Sequence, residues 1–321
     1  MKKLAAGIDI GGTNTAFGLV DRDGNMYAEA VIPTTDFPDF DDYVNELYIT
    51  VEKMLKTAGP DAELAGVGIG APAANYYNGT IEHAANLVWK GILPLAERVK
   101  RFYPNLPVIV ANDANAAAIG EMVYGGARGM KDFIFVTLGT GVGSGFVAGR
   151  RLIYGHDSYA GELGHTIVKQ SGRQCGCGRK GCLDTYASAT GIKRTVYKLM
   201  ADEIHPSAFR DVPYSKMTAE MVTRAALDGD PLAAQAFEYT GEMLGLALAN
   251  AVAITSPEAI FLFGGLAKAG KYIFEPAKRH MEENLLVNYQ NKVKLLPSAL
   301  DDKNAAILGA SALVWESLGE A

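Results

Sequence analysis

The sequence predicts an α/β protein built from two domains of related topology. Strand hairpins followed by alternating helices and strands occur twice along the chain, and each half opens on a glycine-rich turn between two strands. The length of 321 residues also suits two domains, taking roughly 150 residues each.

In the first half, residues 4–10 (LAAGIDI), 16–20 (AFGLV) and 26–32 (MYAEAVI) read as short strands turned by GGTNT and DRDGN. A helix is expected over 39–57, a buried strand over 64–70 and a helix near 92–103. The strand 107–111 then runs into a helix over 113–124. The order restarts with strands at 132–139, 143–149 and 151–155. Helices fill much of 217–255, followed by a strand at 259–265, a helix near 271–284, a strand at 292–298 and a closing helix at 303–317.

Composition narrows the function classes. Hydrophobic residues make up 49% and charged residues 21%, the balance of a soluble globular chain. The net charge is −6 and no run of Lys or Arg is present, which argues against nucleic acid, whose phosphates demand a concentrated basic patch. The opening apolar stretch is interrupted by Asp9, unlike a signal peptide. Asn250, Pro257 and Glu258 break the most apolar region, 245–267, so no membrane span is expected. A cytoplasmic, reducing address follows, where thiols stay reduced.

The paired turns DIGGTNT (9–15) and TLGTGVGSG (137–145) carry the first functional signal. Glycine lets backbone N–H groups converge on an anion, and threonine adds a hydroxyl donor. Either turn alone is an ordinary hairpin connection; both, at the same place in two similar halves, point to a polyphosphate clamp. Neither contains GxxxxGK[ST], so a Walker-type site is excluded. A third glycine pair, Gly264 and Gly265 in FLFGGLAKAG, stands where a strand ends and a helix begins. It reads as a plain turn or as a flat surface beside an adenine or ribose.

The buried strand in VIVANDANAAAIGE delivers Asn112 and Asp113 at its end. Helix capping explains one such residue. A carboxylate at a strand end in an α/β sheet is also placed to take a proton during phosphoryl transfer.

All three cysteines, Cys175, Cys177 and Cys182, lie in RQCGCGRKGCLDT. C-x-C-x₄-C with glycines between forms a tight knuckle, and Cys₃His is a common structural zinc set. His165, ten residues before Cys175, is the natural fourth ligand, with His156 the alternative. The thioredoxin spacing C-x-x-C is absent. Glu162, three residues before His165, and Asp184, two after Cys182, would join the braced imidazole in a polar wall suited to several hydroxyl groups.

Taken together, DIGGTNT, NDANAAAIGE, LGTGVGSG, GELGH with CGCGRKGCLD, and FLFGG resemble the ROK family of bacterial sugar kinases and sugar-responsive regulators, over essentially the whole chain. The resemblance implies the two-domain actin-like ATPase (RNase H-like) fold, each domain a mixed sheet flanked by helices and the two closing over a cleft. It divides the chain into 1–118 with a returning helix at about 303–321, and 119–302. It implies an ATP-dependent hexose kinase, with glucose as the leading substrate and N-acetylmannosamine, N-acetylglucosamine, fructose or mannose as alternatives. Mg²⁺ and a structural Zn²⁺ would be the metals, and a homodimer the assembly.

By the same resemblance, Asp113 is the catalytic base, and Asn86, Asn112, Asp113, Glu162, His165 and Asp184 contact the sugar. Asp9, Gly11, Gly12, Thr13, Asn14, Thr140, Gly141, Gly143, Gly264 and Gly265 lie on the nucleotide, with Asp9 an outer-shell magnesium partner. His165, Cys175, Cys177 and Cys182 hold zinc. Two positions depart from the family pattern: Asp184 replaces the usual Glu, and Ala73 replaces the glycine of a GxPG-type turn. The family's sugar-sensing repressors carry an N-terminal helix-turn-helix domain, for which a first strand at residue 4 leaves no room.

Overall fold

The opening apolar run forms a longer strand than its core pattern requires, because its polar first residues still pair in the ladder. The computed structural model describes residues 1–300 and 304–319, and in it β1 spans Lys2–Ile10. The next two strands, β2 (Asn14–Val20) and β3 (Met26–Pro33), follow as an antiparallel meander. Then come α1 (Phe40–Ala58), capped by the Asp39 side chain, and β4 (Ala62–Ala71), parallel to β1. After the short strands β5 (Ala74–Asn75), β6 (Thr80–Glu82) and β7 (Ile92–Leu93) stand α2 (Leu95–Lys100), β8 (Val108–Asn112) and α3 (Asp113–Val123).

The second run of elements is β9 (Phe133–Leu138), β10 (Val142–Ala148), β11 (Arg151–Leu152), α4 (Asp184–Ala187), α5 (Ala189–Asp202), α6 (Ala219–Leu227) and α7 (Pro231–Thr255). It ends with β12 (Ala259–Phe263), α8 (Lys271–Asn284), β13 (Lys294–Pro297) and α9 (Ala305–Ser317). The two large sheets have the orders β3-β2-β1-β4-β8 and β11-β10-β9-β12-β13, the same topology twice. In each, the first hairpin is antiparallel and the later strands are parallel.

The chain separates into two compact units: Met1–Met130 with Leu152–Ala160 and Ala299–Ala321, and Lys131–Arg151 with Gly161–Ser298. Residues 119–130 stay with the first unit because α3 continues unbroken to Val123. Of the expected closing helix, residue 303 and residues 320–321 lie outside the described residues, as do 301–302.

Each unit closes its own core. In the first, Leu4, Ile8, Ile69 and Val110 pack with Tyr43, Leu47 and Val51 of α1. In the second, Ile134, Val136, Ile260 and Leu262 pack with Phe237, Leu244 and Leu248 of α7. The helix α9 lies directly on the first sheet: a Cβ on Gly7 or Gly68 would collide with the carbonyl oxygens of Ile307 or Ala310.

Several elements differ from expectation, each for a local reason. The helix expected near 92–103 is only α2, because Ile92–Leu93 pairs with Ile81 and Glu82 instead. The strand expected at 151–155 stops at Leu152. Beyond it Tyr154 stacks on Tyr76, with centroids 3.8 Å apart, and Ser158 Oγ accepts from the Tyr76 amide at 2.8 Å. Helix α5 was not foreseen; Ser188 caps it, and Ile192, Thr195 and Val196 form its buried stripe.

Candidate active site

In the first unit, strand register sets the site. Asp9 near the end of β1 lies opposite Gly70 of β4, and Gly70 lies opposite Ala111 of β8, one residue before Asn112. A Cβ on Gly70 would stand 3.8 Å from both Asp9 Oδ1 and the Asp113 Cα, so the bare glycine keeps the space between the two acids open. These are the carboxyl ends of adjacent parallel strands, where α/β sheets bind ligands.

The N-cap and the expected base are neighbouring residues that share one amide donor. Asn112 is the N-cap of α3, its Oδ1 accepting from the Ala114 amide at 3.0 Å. Asp113 is the first helical residue, and its Oδ1 accepts from the same amide at 2.7 Å. The Asp113 residue is solvent-accessible, yet surrounding protein displaces much of the water around its carboxylate. That desolvation raises its pKa against the lowering pull of the amide bond. Asp9 is raised to about 6, first by desolvation and then by repulsion from Asp113.

The first glycine turn closes with the Gly11 amide on the Asn14 carbonyl at 3.0 Å. Among the described residues, the amides of Gly12 and Thr13 have no protein partner, and Thr13 and Asn14 are exposed. Asn86 is brought to this turn: a Cβ on Gly12 would sit 2.5 Å from the Asn86 carbonyl oxygen. The Asn86 segment is anchored by Trp89, which packs on Tyr43 at 4.4 Å between centroids and donates to the Phe37 carbonyl. Tyr43 in turn bonds Thr15 at 2.6 Å, and Thr15 bonds Thr34, a buried brace behind the loop.

In the second unit, Gly139 N–H bonds the Gly141 carbonyl at 3.0 Å, leaving the amides of Thr140 and Gly141 without a protein partner among the described residues. Gly143 is different. It lies inside β10 with its amide donating to Thr137 Oγ1, so it stiffens the turn and has no donor to offer a phosphate. Gly264 follows β12, which neighbours β9; its φ of 98° and its approach to the Leu138 carbonyl exclude a side chain. Gly265 beside it faces open space.

His165, Cys175, Cys177 and Cys182 converge, with one ligand atom from each lying within 4.8 Å of the others. His156 is not in this group. Cys177 Sγ and Cys182 Sγ are 3.6 Å apart, and Cys175 Sγ is 3.8 Å from His165 Nδ1. A tetrahedral zinc with bonds of about 2.3 Å sets its ligands about 3.8 Å apart, so the donor set fits that ion. Hydrogen bonds from the Arg179 amide and guanidinium hold the Cys177 thiol down, at about 6, while burial pushes Cys182 up to about 12. With Nδ1 turned to the sulfurs, His165 Nε2 faces Glu162 Oε2 at 4.0 Å.

Three supporting residues had not been singled out. Buried Ser144 in β10 donates to the Gly161 carbonyl and accepts from the Leu163 amide, tying GELGH to the second turn. Its only sequence signal is a serine amid glycine and valine in a strand. Arg173 stacks over Tyr186 and donates to the carbonyls of Thr185 and Gly191 and to Thr195 Oγ1, bracing the chain after the cysteines. Nothing in its sequence position marks it. Val142 supplies the amide that Asp184 Oδ1 accepts at 2.8 Å. Asp184 was expected on the sugar, and one of its oxygens is committed to this backbone instead.

Two units with one repeated sheet topology, each bearing a glycine turn after its first strand, define the two-domain actin-like ATPase (RNase H-like) fold. The sequence model of the ROK family matches residues 5–317, and the chain belongs to that family. A glucokinase of Halalkalibacterium halodurans is 34% identical over 314 residues, covering 96% of this chain and 94% of its own. The structure of a ROK family glucokinase from Streptomyces griseus in complex with glucose and AMPPNP is 30% identical, with a TM-score of 0.77, covering 97% of this chain and 98% of that one. A ROK family transcriptional regulator, a homologue of the E. coli MLC protein, is 26% identical with a TM-score of 0.87, covering all of this chain and 79% of that one. Among the described residues, no helix is long and apolar enough to cross a membrane.

Proposed function

We propose that this ATP-dependent sugar kinase transfers the γ-phosphate of ATP to the 6-hydroxyl of glucose. The observation that carries the reading is Asp113: a carboxylate directly after a strand end, with one oxygen on the Ala114 amide and made more basic by desolvation. In the reaction Asp113 takes the hydroxyl proton as the oxygen attacks the γ-phosphorus. The new O–P bond forms while the bond to the bridging oxygen breaks, and ADP leaves. Positioning and charge stabilisation supply most of the rate in such transfers.

The unpartnered amides of Gly12, Thr13, Thr140 and Gly141 suit phosphate oxygens, and the open face of Gly265 suits the nucleoside. Asp9 is assigned to the hydration shell of the Mg²⁺ that travels with ATP. Asn86, Asn112, Glu162 and His165 are assigned to hexose hydroxyls, with the second oxygen of Asp184. Zinc on His165 Nδ1 and the three thiolates would fix the tautomer that presents Nε2–H. Cytoplasmic location and a homodimer complete the proposal.

The test is a coupled ATP assay over glucose, mannose, fructose, N-acetylglucosamine and N-acetylmannosamine. Glucose should give the highest kcat/KM. A higher value for an N-acetylated sugar or fructose overturns the substrate assignment. Sugar binding without ADP release favours the regulator class that the homologue of MLC represents.

A further inference from the structure

Asp184 is the first residue of α4, and its backbone is fixed on both sides. Leu183 is fully buried and its amide donates to the Thr166 carbonyl, while Arg173 holds the Thr185 carbonyl. From this platform Asp184 Oδ1 reaches the Val142 amide at 2.8 Å. Val142 begins β10 and directly follows the Gly139–Thr140–Gly141 turn. A Cβ on Gly141 would sit 3.0 Å from the same carboxylate oxygen, so glycine there leaves the acid its path.

The next peptide group, which carries the Val142 carbonyl, is closely packed as well. A Cβ on Gly164 would collide with the Val142 carbonyl oxygen, so the GELGH turn lies flat against it. Ser144, two residues on, bonds the Gly161 carbonyl and the Leu163 amide. The two peptide groups that flank Val142, at the exit of the turn, are thus met by Asp184 on one side and by the GELGH turn on the other. The turn that carries the Thr140 and Gly141 amides leads directly into Val142.

We propose that Asp184 is a positioning residue for the nucleotide: by fixing the Val142 amide it orients the donors of the second glycine turn toward the phosphates. This rests on the kinase reading above. An aspartate, one methylene shorter than glutamate, ends at the turn, and only its second oxygen remains for a sugar hydroxyl.

The full chain is compared with Asp184→Ala and Asp184→Asn by steady-state kinetics, and by calorimetric binding of AMPPNP. Losing a charge-assisted hydrogen bond should raise the KM for ATP and the Kd for AMPPNP about tenfold in Asp184→Ala, and the hexose KM should rise as well because the second oxygen is lost with the first. In Asp184→Asn the amide oxygen still accepts from Val142, so both nucleotide constants should stay within about threefold of wild type. Nucleotide constants unchanged in Asp184→Ala overturn the proposal whatever the hexose KM does, and Asp184→Ser, whose hydroxyl is too short to reach the Val142 amide, is read in the same way if the Ala variant does not fold. A wild-type chain that binds AMPPNP but phosphorylates no sugar overturns the kinase reading only, since AMPPNP affinity still reports on Asp184. A wild-type chain that does not bind AMPPNP overturns both.

Discussion

Asp113→Asn keeps the shape and the amide bond of the side chain but removes its ability to take a proton. The variant should fold and bind hexose as before while kcat falls by about 10² to 10⁴, measured at saturating ATP and sugar; near-wild-type turnover would sink the assignment. Because desolvation raises the Asp113 pKa, the acid limb of kcat/KM should lie above the ordinary carboxylate value of 3.8 and vanish in the variant. Asp9 makes a second, thermodynamic case. Its pKa rises from 3.8 to about 6 on folding, so the folded state holds the extra proton across that interval. Stability contributed by Asp9 is therefore lost as pH rises from 3.8 to about 6. Asp9→Asn should raise stability at pH 7 by on the order of 2 kcal/mol while weakening turnover. Urea melts at pH 4 and pH 7 check this, and an equal effect at both values contradicts it. The identities of both acids were legible in the sequence because each ends an apolar strand. Their repulsion was not, since it depends on β4 placing Gly70 between them.

At the scale of elements, the contact between α9 and the first sheet is backbone against backbone. Gly68→Ala drives a methyl into the Ala310 carbonyl and should cost about 1–3 kcal/mol, read as a shift in urea midpoint at unchanged slope. The cysteine knuckle, with its proposed zinc, is the other element with a clear expectation. Purified protein should carry one zinc per chain by mass spectrometry, and chelation or Cys182→Ser should lower Tm and raise the hexose KM, because His165 loses its fixed orientation. Retained sugar affinity in the metal-free chain would reduce the ion to a loop staple. The long elements were readable in sequence: α8 was expected at 271–284 and is Lys271–Asn284, and β8 differs by one residue at each end. Periodicity failed where tertiary pairing decided the outcome, as in β7 and after β11, where Tyr154 leaves the sheet to stack on Tyr76. Ala73 shows a related limit. Its φ of 52° keeps the left-handed turn usually given to glycine, which costs an alanine about 1–2 kcal/mol, and a letter alone does not reveal its dihedral.

At the scale of the molecule, the repeat has consequences for how the chain unfolds. The two units have separate sheets and separate cores, with the residues around Tyr43 and Ile69 in one and those around Phe237 and Ile260 in the other. Chains of this kind depart from two-state unfolding. Calorimetry should show a van't Hoff enthalpy below the calorimetric one, resolving into two transitions. The four proposed zinc ligands all belong to the second unit, so chelation should lower only one of them. Gly68 and α9 belong to the first, so Gly68→Ala should lower only the other. AMPPNP should raise the transition of any unit whose glycine turn it contacts, because a ligand that binds only the folded state stabilises it. A single transition displaced equally by chelator and by Gly68→Ala would mean that the repeat folds as one cooperative block. The two cores would then be separate in packing only.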